Sequence, residues 1–262
     1  MVRCEAAGPG LHFTALVVFV GLGDRGLRQF CLHLLFAVVL AVSLRGGNSV
    51  VAAHASPAPK TGVIEGAVTY KADAKRPWRY ARYYVKSAKG GELSEAVVAI
   101  RGKALDKSKS ASPTTVKIDQ KDFQFEPELV AIRVGDSVAF SNSDTATHNV
   151  RASGEVADFN LTMPAGGSGH TIKFEKAGGV RRPVEIGCVF HSNMRAWVFV
   201  FDHPFFAVTK ADGKFRLADV PEGEYELELV HAAGGLKTKK AVTVKAGGTA
   251  KLDFELSPSD VR

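Results

Sequence analysis

The chain has 262 residues, with 34 Lys and Arg against 27 Asp and Glu for a formal net charge of +7. That length accommodates two small β domains after removal of an N-terminal segment, and three cysteines are too few for a disulfide framework. No nucleophile elbow, paired-carboxylate motif or Gly-rich phosphate loop occurs, so no hydrolytic class is indicated and the chain is read as a non-enzyme.

The N-terminus reads as a targeting segment. Leu11 to Leu22 and Phe30 to Leu44 are apolar runs, each shorter than the ~18 residues of a spanning helix. Arg25 and Arg28 ahead of the second run, then Ala53-His54-Ala55, supply the charged, apolar and small-residue parts of a secretory signal peptide over residues 1–55. A two-helix membrane anchor is the rival. Secretion places the protein in the periplasm or outside the cell, with no stable membrane span in the mature form. Cleavage removes Cys4 and Cys31 and leaves Cys188 alone. A solitary thiol in an oxidising compartment calls for an explanation, either metal ligation or a buried, inert side chain.

Gly62 to Tyr70 alternates at period two and reads as a strand; Gly90 to Ile100 reads as a turn and a second strand. Between them a basic insertion interleaves Trp78, Tyr80, Tyr83 and Tyr84 with Arg76, Arg79 and Arg82. Outside the cytoplasm this suits an acidic partner or an anionic envelope surface better than nucleic acid, and a solvated loop is the simpler reading. Lys103 to Pro113 is a polar linker. Strands are then expected at Val116–Ile118, Leu129–Val134, Ser137–Ser141, Asn149–Arg151, Thr171–Phe174, Pro183–Gly187 and Trp197–Phe201, with Phe123, Phe125 and Phe140 in the core and His170 in a loop. Many short antiparallel strands without a helical period argue for an all-β, Greek-key sandwich.

Chemistry concentrates in Gly187-Cys188-Val189-Phe190-His191-Ser192-Asn193-Met194. A tight loop after a strand brings Cys188, His191 and Met194 around one point, and His148 arrives from another strand end. One thiolate, two neutral imidazoles and a weak axial thioether form the ligand set of a mononuclear blue-copper electron-transfer site. A single Cys excludes a thiolate-bridged dinuclear centre, and the few other histidines exclude a multicopper oxidase.

Cys-x-x-His-x-x-Met, followed by Arg195 and an apolar alternating strand, resembles the ligand loop of the amicyanin-like cupredoxins, and His148-Asn149-Val150 resembles their first-ligand segment. The resemblance spans roughly Ser112 to Asp202. It implies a cupredoxin domain over 113–202 that binds one type 1 copper through His148, Cys188, His191 and Met194. It further implies an Asn149 N–H directed at the thiolate, and His191 as the solvent-edge ligand. Val189-Phe190 departs from the family's pair ending in Pro. The run from His203 to Thr209 is similar to secreted methylamine-utilisation-like proteins, which implies redox partners such as a dehydrogenase and a cytochrome c. Phe190 and Met194 are expected in an apolar docking rim; Trp197 is a candidate for the same rim, with a core position the preferred reading.

The last segment predicts a hairpin over Val208–Leu217 around Asp212-Gly213, then strands from Val220 to Val230, Ala241–Lys245 and Thr249–Leu256. Thr-x-x-Asp-Gly-x-Phe at 209–215 and Val-Pro-x-Gly-x-Tyr at 220–225 resemble the second half of a carboxypeptidase-regulatory-like (prealbumin-like) sandwich. Its opening half resembles Gly62–Val68 and Gly91–Val98. This predicts a regulatory-like sandwich of residues 62–102 and 203–257 with the copper domain inserted. Three consecutive domains are the rival arrangement. His203 and His231 are candidates for a second, weaker metal site. Copper delivery without redox, and a metal-free module for carbohydrate or protein binding, remain the alternative functions.

Overall fold

The structure, a computed structural model, describes residues 60–71, 75, 90–101, 112–167 and 169–260. The expected signal peptide over residues 1–55, the aromatic part of the basic insertion and most of the 103–113 linker lie outside the described residues. Among those described, the chain is strand and turn, with one 3-10 turn at Pro258–Asp260.

The strands, labelled in chain order, form four sheets. In the first, β13 (Lys214–Pro221), β1 (Thr61–Tyr70) and β16 (Thr249–Lys251) lie side by side, and β17 (Phe254–Leu256) continues beside β1. The second runs β12 (Phe206–Val208), β2 (Val97–Arg101), β14 (Gly223–His231), β15 (Leu236–Val244). The third runs β4 (Gln124–Glu126), β3 (Thr115–Lys121), β6 (Ser137–Asn142), β9 (His170–Lys173). The fourth runs β5 (Leu129–Arg133), β11 (Arg195–Phe201), β10 (Val184–Gly187), β7 (His148–Ala152), β8 (Phe159–Met163). The first two sheets thus draw their strands from both sides of the chain segment that makes the last two.

Side-chain alternation along single strands explains the layering. Val98 and Ile100 of β2 join Ile64, Leu217, Leu227 and Phe254 in a core between the first two sheets. Val198 and Val200 of β11 join Ile118, Phe125, Phe140 and Ile186 between the last two. The odd-numbered residues of the same strands, Val97 and Ala99 on β2 and Phe199 and Phe201 on β11, meet in a third apolar cluster with Leu129, Val180 and Val230. A strand covered on both faces must be apolar at every position, and Val97-Val98-Ala99-Ile100 is.

Several expectations are corrected. The strands are not all antiparallel: β3 with β6, β5 with β11, and β1 with both β16 and β17 are parallel. Strands β4 and β8 lie at positions the periodicity did not flag. Val208–Leu217 is not a hairpin, because β12 pairs with β2 while β13 pairs with β1. The Gly213 carbonyl accepts the Val68 N–H at 2.8 Å, which docks the turn on β1 and sends the outgoing strand into the other sheet. A Cβ at Gly213 would stand 2.5 Å from the Val68 carbonyl oxygen, so this close approach needs glycine. The expected strand Thr249–Leu256 is interrupted at Leu252-Asp253, where the Ala67 N–H of β1 donates to Asp253 Oδ1 at 2.8 Å in place of a backbone carbonyl. His170 opens strand β9 rather than sitting in a loop. Phe123 is not in the core but 52% exposed, its φ of 59° placing it in a turn.

Candidate metal centre

Strand register builds the site. Gly187, the last residue of β10, pairs with Arg151 of β7 and with Arg195 of β11. Continuing the β7–β10 pairing by one residue sets Cys188 opposite Val150, one side-chain repeat from His148 on the same face. The loop from Cys188 to Met194 returns the chain directly into β11, and the Met194 N–H donates to the His191 carbonyl at 3.0 Å. That tight turn carries His191 back over Cys188.

Donor atoms of His148, Cys188 and His191 lie within 4.8 Å of one another, the one such His, Cys, Asp or Glu group of three or more among the described residues. The two Nδ1 atoms are 3.1 Å apart, and Cys188 Sγ lies 3.6 Å from His191 Nδ1. Metal–ligand lengths of roughly 2.0 Å to imidazole and 2.3 Å to thiolate are compatible with edges of that size around one ion. His148 is fully buried, Cys188 is 7% exposed and Met194 1%, whereas His191 is partly open to solvent. Met194 packs in the same core cluster as Cys188.

Asp144 decides which face His148 presents. Its Oδ2 lies 2.6 Å from His148 Nε2, so the neutral ring carries its proton there and turns the Nδ1 lone pair toward His191 and Cys188. Two imidazole nitrogens facing each other at 3.1 Å beside a thiol are reconciled by a shared proton or a cation, and the soft sulfur donor selects copper or zinc. Burial pushes the Asp144 carboxyl up, but hydrogen bonds from the Phe123 N–H, His148 and the Asp122 N–H outweigh it and hold the group below the usual carboxylate range. Nothing in the local sequence pattern marked Asp144. Its signal is the four-residue offset from His148, legible only once the intervening turn is known.

Phe123 was also missed as a site residue. Its ring stands edge-on to both imidazoles, with centroids 5.4 Å from His148 and 5.0 Å from His191. Exposed large hydrophobic side chains among the described residues are Phe123, Val134, Val189 and Phe190, and all but Val134 flank His191 in space or sequence. The apolar rim therefore consists of Phe123, Val189 and Phe190. Met194 is buried, and Trp197 packs into the cluster shared by the second and fourth sheets. The Asn149 N–H makes no hydrogen bond to the sulfur among the described contacts; its side-chain amide instead donates to Asn160 Oδ1 at 2.6 Å and to the Leu161 carbonyl at 3.1 Å.

His203 and His231 do not meet. Phe206 and Glu228 are both level with Ala99, and β12 and β14 run the same way. His203 precedes that level by three residues and His231 follows it by three, so the two lie toward opposite ends of β2. Each Nδ1 accepts a local backbone N–H, from Phe205 and Gly234 respectively.

The sequence model of the family described as copper binding proteins, plastocyanin/azurin family, matches residues 113–201. Among solved structures, an amicyanin from Paracoccus versutus is 20% identical, covering 39% of this chain and 96% of its own, with a TM-score of 0.29. A purple cupredoxin from Nitrosopumilus maritimus is 21% identical over 32% of this chain and 98% of its own, with a TM-score of 0.28. Among curated proteins none matches the chain. The family match and the donor geometry carry the assignment: residues 113–201 form a cupredoxin domain, and its cofactor is copper.

Proposed function

We propose that the protein is a secreted, mononuclear type 1 copper protein that carries single electrons between redox partners and catalyses no reaction of its own. The observation behind this reading is the convergence of two Nδ1 atoms and one Sγ at the end of the sandwich, with His191 alone of the three partly exposed. His148, Cys188 and His191 would hold the ion, with the Met194 sulfur as a weaker further donor. Copper, when bound, supplies the one-electron couple. Asp144 orients His148, the strand ends fix Cys188, and the short loop fixes His191, so little rearrangement accompanies oxidation or reduction. His191 and the rim of Phe123, Val189 and Phe190 form the face on which a partner docks.

We place this activity in the periplasm or outside the cell, on the basis of the signal-like segment 1–55. Among the described residues no helix is long and apolar enough to cross a membrane. The flanking strands are read as one regulatory-like sandwich interrupted by the copper domain. Support comes from β2, whose neighbours β12 and β14 both arrive after residue 201. On this reading the second sandwich is a rigid carrier, packed on the copper domain through Phe199, Phe201 and Val97.

The test is a visible-range titration of the protein with Cu(II), with Cys188→Ser alongside. A strong thiolate-to-copper band that saturates at one equivalent and is lost in the variant supports the reading. Tight binding without the band indicates copper delivery instead.

A further inference from the structure

The turn between β3 and β4 is an unfavourable local choice. Lys121 pairs with Gln124, leaving Asp122-Phe123 as a two-residue loop with φ of 53° and 59°. Such turns favour Asn-Gly or Asp-Gly, since both central residues occupy the left-handed region. Asp tolerates it; for Phe the Cβ crowds the following carbonyl and the conformation is disfavoured. The compensation is Asp144, whose Oδ1 accepts the Asp122 N–H at 2.6 Å and whose Oδ2 accepts the Phe123 N–H at 3.0 Å. The same carboxylate holds His148 Nε2.

One side chain therefore pins two things at once: the tautomer of the buried imidazole, and the turn that holds an exposed phenyl ring against both imidazoles. Placing that ring half in water gives it little burial in the core, so its position is not explained by folding alone. What it does is cover the histidine side of the donor set.

We propose that Phe123 is a cover over His148 and His191 that limits the rate at which metal and solvent reach them, and that Asp144 is its latch. The inference rests on the copper assignment and goes beyond the electron-carrier reading. A cover differs from a ligand-positioning group in a kinetic way. It slows entry and exit by the same factor and leaves the equilibrium affinity nearly unchanged.

Phe123→Asn is the informative variant, because Asn is at ease with a positive φ and keeps the turn while deleting the ring. Copper uptake by the metal-free protein and copper release to an excess of chelator are followed by stopped flow. Both rates should rise roughly tenfold in Phe123→Asn, as expected when the apolar shell of a metal site is opened, with Kd changed less than about threefold. Phe123→Tyr should restore the wild-type rates. Asp144→Ala should raise both rates and also weaken Kd, since His148 loses its orienting partner.

A second readout uses no copper. Diethyl pyrocarbonate acylates accessible neutral imidazoles, and mass spectrometry of the metal-free protein should show His191 modified faster in Phe123→Asn than in wild type. Unchanged exchange rates and unchanged His191 acylation in Phe123→Asn would overturn the cover. Faster release with unchanged uptake, and so a raised Kd, would overturn it too, and make Phe123 a ligand-positioning residue. Should wild type bind no copper, the metal reading falls, while the acylation result still decides the cover.

Discussion

In the sandwich around Ile64, Val98, Leu227 and Phe254, two buried polar side chains, Thr209 and His231, are committed to backbone partners. Thr209 Oγ1 donates to the Leu93 carbonyl at 2.7 Å and accepts the Ala96 N–H at 2.9 Å, and His231 Nδ1 accepts from Gly234. In the cupredoxin domain, His148 is buried completely yet presents one ring nitrogen to another imidazole and a thiol. Each core is an apolar filling between two sheets. The difference teaches where to look for function. A buried polar group closed by the backbone serves the fold, whereas one aimed at other donors is waiting for a ligand.

If that contrast is right, core and site can be damaged separately. Phe254, 1% exposed and packed against Phe215, belongs to the core alone. Phe254→Ala should lower stability by about 3–5 kcal/mol, measured by urea unfolding, and leave the copper-site spectrum unchanged. A spectral change would join the two regions more closely than the comparison allows.

Cys188→Ser should do the reverse. In metal-free protein its unfolding free energy should fall by no more than about 1–3 kcal/mol, the cost of burying a hydroxyl. With free copper at a hundred times Kd, wild type should gain about 2.7 kcal/mol and the variant almost nothing. Equal copper-linked gains would remove Cys188 from the site.

Asp136 sharpens the picture on the structural side of the copper domain. Burial raises its carboxyl pKa, but hydrogen bonds from the Thr114 and Arg133 N–H groups and the charge of Arg133 prevail, holding it below its ordinary 3.8. A group depressed on folding contributes stability above its unfolded pKa and loses it as pH falls through the folded value. Asp136→Asn should therefore destabilise by about 1–3 kcal/mol at pH 7. The gap from wild type should close progressively as the solution is taken below pH 4 (about the ordinary carboxylate pKa). A gap independent of pH would assign the effect to geometry instead of charge.

The smallest effect is expected where the two sandwiches meet in solvent. Arg181 Nη2 lies 3.7 Å from Glu228 Oε1, and its side chain is 57% exposed. Arg181→Ala should change stability by less than about 1 kcal/mol, since Glu228 keeps Arg101 at 3.6 Å.

How much was legible follows from where the information sits in the chain. Cys188, His191 and Met194 fall in one short loop, so their spacing alone announced a common point. His148 was identifiable by residue type and by the strand-like residues after it. Asp144 and Phe123 were not, because their relation is made by a turn and a carboxylate 21 residues apart, and an aromatic residue in an apolar-rich segment reads as core. The Asp212-Gly213 turn was found but its outcome was misread, because a turn motif is blind to which strand receives the outgoing chain.

Residue order by itself determined that this is an all-β protein with one candidate metal loop, since alternation, turn residues and ligand spacing are local properties. Tertiary structure alone decided that β2 and β11 are buried on both faces, that Met194 leaves the apolar rim, and that Phe123 joins it. The reason is physical. Local pattern specifies which residues avoid water, while the partner each one finds depends on contacts between strands far apart in the chain.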